Sequence, residues 1–375
     1  MLNRRTIRIK IMQSLFAYEQ CKEADYQLAL DLIDERFLPD LNSMEVQDKD
    51  LLKKQAKAAK QLFEKKFNGE EPKSASEKKI EVAVKEAESL YAKQIKKDEQ
   101  FLGNNIILEI EKLTEIYLSV LSLVLAFVEA AESDKKLNHT NFIHHPLIEA
   151  LRASDSLKKE VLKGNFGWQN SMEKVRGWFR DVVKEDKSYM EFIENANLDE
   201  EMQKAFMKHL TRKIILGSST INDYYEEQDI RWAEDKDIVK SLVDKTVKSF
   251  SDGKIELQKM SLDWEDDKDF IKRLFKDTID LDKEYKDLIA KNTRNWEVDR
   301  LPLTDRIILE MAIAEMLNFP NIPVKVTINE YIELTKEYST PKSRQFINGI
   351  LDVISKNLKD SGTIKKSGRG LIDNK

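Results

Sequence analysis

The chain is poor in the residues on which covalent and metal chemistry depend. A single cysteine, Cys21, stands among 375 residues, which excludes an intrachain disulfide and a cysteine-cluster metal site. Eleven glycines and seven prolines leave few turn formers, so a mostly helical chain is favoured over a sheet-rich one. Only four histidines occur, three of them close together at His139, His144 and His145. On a helix an adjacent pair diverges by about 100°, and no His-Glu-x-x-His spacing accompanies them. The acidic run from Trp264 to Asp267 lacks the glycine and spaced ligands of a calcium loop. Phosphate-cradling glycine loops, dinucleotide fingerprints and nucleophile elbows are also missing. The sequence is therefore expected to be non-enzymatic, with no cofactor and no metal.

Long hydrophobic runs are scarce as well. The most apolar stretch, Ile116 to Val128, is about 13 residues and is interrupted by Ser119 and Ser122, short of the ~20 needed to span a bilayer. The N-terminus is basic but lacks an apolar core and a cleavage site, so the expectation is a cytoplasmic protein with no membrane partner. Charge is abundant, at 35% of residues, with a formal net charge of −5. That balance argues against a globally basic nucleic-acid binder and leaves room only for local basic patches. The two ends supply candidates: residues 1–20 carry four basic groups against one acidic, and residues 321–375 ten against six.

The most specific pattern lies near the C-terminus, where three helices can be read. Thr304 is a candidate N-cap before Ile307, Ile308, Met311, Ala314 and Met316 at helical spacing. Pro320 and Pro323 bracket a short connection. Thr327-x-x-Glu330 fits a capping box for a second helix with Ile328, Tyr331, Ile332 and Thr335 on its buried face. Thr340 followed by Pro341 marks a third start, with Phe346, Ile350, Val353 and Ile354 as its apolar stripe. Gly349 inside that helix costs roughly 1 kcal/mol relative to alanine; a neighbouring helix is the first explanation and a nucleic-acid backbone the second. At the other end, Arg4, Arg5 and Arg8 precede two apolar stripes, Ile7-Ile11-Leu15-Tyr18 and Ile9-Met12-Phe16, so this helix is read as a central core element. Arginines at a helix start oppose the macrodipole, which favours a functional over a stabilising role.

The block Pro323-x-Lys325-Val-x-Ile-Asn329-Glu330, followed by Ser343-x-x-Phe346-x-Asn348-Gly349-x-Leu351, resembles the C-terminal half of the NusB family of RNA-binding transcription antitermination factors. Arg4-Arg5-x-x-Arg8 with Gln13 and Leu15-Phe16 is similar to the family's arginine-rich first helix, although Thr6 replaces an arginine of the longest such runs. Phe270 to Thr278, Tyr285, Leu288 and Trp296 resemble the helix pair before the Asp305-Arg306 motif.

What the resemblance implies is an all-α fold, with a NusB-like helical core of two helical subdomains and a helical insertion. It also implies binding to single-stranded boxA-like RNA of nascent ribosomal-RNA transcripts, together with the small-subunit ribosomal protein NusE, to modify the RNA polymerase elongation complex. By the same resemblance Arg4, Arg5, Arg8, Lys325 and Arg344 would hold phosphates, and Tyr338 and Phe346 would stack on bases, with a core role for Phe346 kept open. Asp305 matches a position on the NusE-facing side. A NusB-like domain also begins some ribosomal-RNA cytosine methyltransferases, but those need a glycine-rich cofactor domain and catalytic cysteines. Here about 20 residues follow the last motif helix and Cys21 is the sole cysteine. A non-catalytic assembly scaffold in ribosome biogenesis, or an RNA-binding subunit of an rRNA-modifying complex, remains the alternative.

The expected organisation is 1–35 for the N-terminal helices of the core, 36–262 for the insertion, 263–358 for the RNA-binding C-terminal part and 359–375 for a flexible basic tail. Within the insertion, residues 45–101 are rich in Lys, Glu and Ala. Ile106, Ile110, Leu113, Tyr117, Val124 and Val128 then recur at helical spacing, which predicts the helix around which the insertion packs. Further helices are expected at Pro146–Leu151, Met172–Val183 and Glu201–Leu216, the last ending at Gly217, and another from Ile230.

Overall fold

The computed structural model describes residues 2–40, 42, 47–70, 77–164, 166–281, 283–292 and 301–374. Trp296 of the family-like pattern lies outside them. The helices in chain order are α1 (Arg4–Arg36), α2 (Lys49–Phe67), α3 (Lys78–Ser133), α4 (Thr140–Ile143), α5 (Pro146–Ala153), α6 (Asp155–Gly164), α7 (Met172–Trp178), α8 (Lys187–Glu194), α9 (Glu200–His209), α10 (Ser219–Gln228), α11 (Trp232–Lys248), α12 (Trp264–Ile279), α13 (Lys283–Asn292), α14 (Leu303–Asn318), α15 (Val324–Tyr338) and α16 (Pro341–Asp360). Wide π-turns continue α7 through Phe179–Val183 and α9 through Leu210–Ile215. Among the described residues there is no β-strand, only an isolated bridge between Ser251 and Lys254. The fold is all-α.

The chain divides into two compact units: residues 1–4 with 107–267, and residues 5–106 with 268–375. Boundaries therefore fall at 4/5, 106/107 and 267/268, and the sequence pattern draws them at 35/36, 262/263 and 358/359.

In the unit formed by 5–106 and 268–375, α14 is apolar on every side: Ile307, Ile308, Leu309, Met311, Ala312, Ile313 and Ala314 are all buried. Such a helix belongs at the centre of a bundle, and α15 and α16 pack on it and on each other. The N-terminal half of α1 buries Ile7, Ile11, Met12, Leu15 and Tyr18. The second expected stripe of α1 is weaker, since Phe16 is exposed. The other end of α1 carries a separate core. Ala29, Ile33 and Phe37 meet Ala59 and Phe63 of α2 and Ile80, Ala83, Val84 and Ala87 of α3.

Three local expectations are corrected in this unit. The helix of the Asp-Arg motif begins at Leu303 with Pro302 at the N-cap, so Thr304 is inside it. The next helix begins at Val324 after Pro323, and Thr327 is an interior residue whose hydroxyl is drawn inward rather than capping. The stretch from 359 onward, which the sequence pattern reads as a flexible basic tail, docks instead: Ser367 N–H donates to Pro320 O at 3.0 Å and Lys366 Nζ to Phe319 O at 2.9 Å. A side chain at Gly370 would collide with the Pro320 carbonyl, which is why only glycine allows this approach. Thr340 is the expected N-cap, accepting from Ser343 N–H with Pro341 in the first turn.

The unit formed by 1–4 and 107–267 is organised on the second half of α3. Ile110, Leu113, Tyr117, Val124 and Val128 are buried as the spacing predicts. An 18-residue window of α3 is long and apolar enough to cross a membrane, and 72% of it is buried inside the fold. Most of that window is thus covered by protein. The three histidines do different work. His139 Nδ1 meets Tyr189 Oη at 2.8 Å and its Nε2 faces Asp134 at 3.3 Å, while the exposed His144 faces Glu149. His145 caps α5, its Nδ1 accepting from Leu147 N–H at 3.1 Å, while Nε2 donates to Gln203 O at 3.1 Å.

Candidate nucleic-acid interface

The region picked out by the motifs is built from α1, α14, α15 and α16 around one buried carboxylate. Glu315 on α14 is fully buried and accepts from four donors: Arg8 Nε at 2.7 Å, Arg8 Nη2 at 2.8 Å, Thr327 Oγ1 at 2.8 Å and Tyr331 Oη at 3.1 Å. A buried charge is tolerable only with such complete satisfaction. The Arg8 guanidinium also lies against the rings of Phe270 and Tyr331, with its carbon 5.4 and 5.8 Å from their centroids. Burial opposes its charge, but the attraction and hydrogen bonds of Glu315 outweigh that and hold its pKa above the ordinary value. Burial, reinforced by Glu315, pushes the Tyr331 phenol far upward.

Arg8 is therefore a bolt between α1 and α14, with a side chain 3% exposed, and it presents no surface to a phosphate. The helical period explains this correction. Arg8 is one turn before Ile11 and Met12 and two before Leu15, on the side of α1 that enters the core. Arg5 is partly exposed and forms a two-point ion pair with Glu330 at 3.0 and 3.1 Å. Arg4 belongs to the other compact unit and pairs there with Asp266 and with Asp267, the latter at 3.2 Å. The arginine cluster of the N-terminus is thus dispersed by acidic partners.

Asp305 is also relocated. It is buried, 1% exposed, and accepts from Ser339 Oγ at 2.6 Å, tying the start of α14 to the end of α15. A carboxylate in that position cannot present itself to a partner without unfolding its surroundings. The neighbouring Arg306 is the more accessible group and is held by Glu19 at 2.7 Å.

The remaining candidates lie outward. Lys325 and Arg344 are exposed, and Tyr338 and Phe346 are half-buried. Lys325 and Tyr338 stand at opposite ends of α15, about 20 Å apart along its axis, so they do not form one cluster. Arg5 and Arg344 both help to lower the pKa of Glu333, after the larger effect of its hydrogen bond from Lys336, which places both arginines within Coulombic reach of one surface. The buried stripe of α16 is Ile347, Ile350, Leu351, Ile354 and Leu358, one residue out of register with the expected Phe346 and Val353.

That register turns a polar face of α16 to solvent. Lys342, Gln345, Gly349, Lys356 and, beside them, Arg344 and Asn348 are exposed. Nothing lies within 4 Å of where a Gly349 side chain would be, so no neighbouring helix requires this glycine. An amide-rich, basic helix face with bare backbone at its middle can contact phosphates by charge and base edges by hydrogen bonds. Lys342, Gln345 and Lys356 are absent from the motif-derived set. They lie seven and four residues before and seven after Gly349, on one face that also exposes Asp352, and that helical spacing is the signal that could have found them.

Comparison with known proteins converges on the same helices. Residues 233–356 match the family model described as the NusB family, starting inside α11 and ending near the close of α16. Transcription antitermination protein NusB of Chloroherpeton thalassium is 49% identical over 76 residues, which is 20% of this chain and 36% of the relative. The NusB of Salinibacter ruber is 47% identical over 75 residues, covering 20% of this chain and 47% of the relative. That of Dictyoglomus turgidum is 44% identical over 76 residues, 20% of this chain and 51% of the relative. The chain thus spans about a third to a half of these relatives. No solved structure matches it.

Proposed function

We propose, from the premise that residues 233–356 form a NusB-family domain, that this chain is a non-catalytic, RNA-binding transcription antitermination factor. It binds single-stranded boxA-like RNA of nascent ribosomal-RNA transcripts together with NusE and acts on the RNA polymerase elongation complex. The observation that carries this reading is the 44–49% identity to proteins named for transcription antitermination. The exposed face of α16 supports it physically, because Lys342, Arg344, Gln345, Asn348 and Lys356 supply charge and amides while Gly349 leaves the backbone open. Exposed Lys325 and Arg344, partly exposed Arg5 and half-buried Tyr338 and Phe346 are assigned to phosphates and bases by the resemblance. Arg306 is the more accessible group near Asp305 for a protein partner.

The reading is tested by fluorescence anisotropy of a labelled boxA-like RNA across a salt series, with and without NusE. Binding should weaken with salt, with log K against log salt changing by roughly 0.7 for each phosphate contact, and NusE should tighten it. Arg344→Ala with Lys342→Ala should lower both affinity and slope. Salt-independent or absent binding in both arms overturns the reading. The unit of residues 107–267, which packs around its own apolar helix, would then point to an assembly scaffold.

A further inference from the structure

Helix α2 stands apart from the rest of the chain in charge. It carries seven lysines against two acidic residues, a net charge of +5 in a protein whose formal net charge is −5. The acids, Asp50 and Glu64, share the lysine side of the helix but lie toward its ends, Asp50 three and four residues before Lys53 and Lys54 and Glu64 beside Lys65, so the stretch from Lys53 to Lys60 holds four lysines and no carboxylate. Lys53 and Lys57, and Lys57 and Lys60, are neighbours on the helix surface and repel one another. Among the described residues Lys60 pairs with Asp34 of α1, and Lys66 with Glu88 of α3 at 3.1 Å. Lys53, Lys54, Lys57 and Lys65 instead face solvent, within about 120° of the helix circumference and about 18 Å of its length.

Beside this face at the C-terminal end, on its border with the buried side and one turn after Phe63, sits Phe67, 48% exposed. Its ring packs on Tyr26, tilted, at 4.7 Å and edge-on with Tyr91 at 5.2 Å between centroids. A row of lysines bordered by a half-exposed aromatic ring offers what single-stranded nucleic acid requires, phosphates along the charges and an unstacked base on the ring. A lipid surface would need the apolar face of the helix, and that face is spent on Ala59 and Phe63 inside the core.

We propose that the lysine face of α2, bordered by Phe67, is a second contact surface for single-stranded RNA. This rests on the RNA-binding reading above and extends it to a different part of the same compact unit. From Arg5 to Ala29, where α2 docks, α1 runs about 36 Å. RNA reaching both surfaces must bridge that distance in addition to filling the first site, so a long RNA engages α2 more than a minimal one does.

The experiment uses the full chain and two labelled RNAs sharing one boxA-like core, about 12 and about 40 nucleotides long. In the variant with Lys53, Lys54, Lys57 and Lys65 all changed to Gln, the 40-mer should bind roughly tenfold more weakly or worse. Its salt slope should fall by as much as ~2.8, from four lost contacts. The 12-mer should be unaffected. Phe67→Leu, which keeps apolar bulk but not the ring, should weaken the 40-mer severalfold with an unchanged melting curve. Ultraviolet cross-linking of a 4-thiouridine 40-mer should mark peptides of α2. Unchanged 40-mer affinity and slope in the quadruple variant overturn the inference, and so does capture of an acidic protein by α2 in its place. If the 12-mer still binds through Arg344 in that case, the proposed function stands alone. If the 40-mer binds in a lysine-dependent way while the 12-mer never binds, α2 is an RNA surface and the α16 assignment fails.

Discussion

Arg8 and Glu315 are 307 residues apart in the chain and meet as a two-point ion pair at 2.7 and 2.8 Å, with side chains 3% and 0% exposed. The pair joins the first helix to the motif helices, and it converts a residue of apparent RNA-binding type into a structural one.

Arg8→Met should accordingly destabilise the fold by about 3–5 kcal/mol, the cost of leaving a buried charge without its partner. Arg5→Ala breaks a pair whose arginine is 38% exposed, and should cost under about 1 kcal/mol. Urea denaturation of both variants decides the matter; comparable small losses would show that Arg8 is not buried as described.

Asp305 and Ser339 form a second long-range tie, at 2.6 Å. Asp305→Ala should cost roughly 1–3 kcal/mol, since it orphans a hydrogen-bonding group in a tight site. Ser339→Ala should cost less, and the double variant less than the sum, because both remove one interaction. Additive losses would argue against the contact. Any loss of partner binding in Asp305 variants must be read beside their melting curves.

Gly349→Ala fills space that is open to solvent. It should stabilise α16 by about 0.5–1 kcal/mol, since alanine is the better helix former. It should nevertheless weaken RNA binding if a nucleic-acid backbone approaches there. A higher melting temperature with unchanged RNA affinity would remove Gly349 from the interface.

His145 links stability to pH. Burial, the largest effect, lowers its pKa to about 4, and the bonds to Gln203 O and Leu147 N–H suit the neutral ring. The unfolded chain, with an ordinary value near 6.5, binds more protons between the two values, so stability rises with pH across that window. The contribution is complete above about pH 6.5 and is lost as pH falls toward 4, by roughly 3 kcal/mol at most. Denaturant midpoints from pH 8 to 4 should show this slope, and His145→Asn should flatten it. An unaltered slope in the variant would assign the effect to other groups.

Features set by neighbours along the chain were legible without coordinates. The apolar period of α3 around Tyr117, the Thr340-Pro341 start of α16 and the all-α class depend on residues within a turn or two of each other. The NusB-like motif blocks were legible for the same reason, being contiguous. Tertiary structure alone decided where the charges ended. No local rule pairs Arg8 with Glu315 or sends Asp305 inward to Ser339, because each outcome depends on which helix lies opposite. Nor could the period of α2 say that Ala59 and Phe63 would be taken by α1 and α3, leaving its lysines outward. Helical spacing establishes which residues share a face, and packing chooses which face is buried.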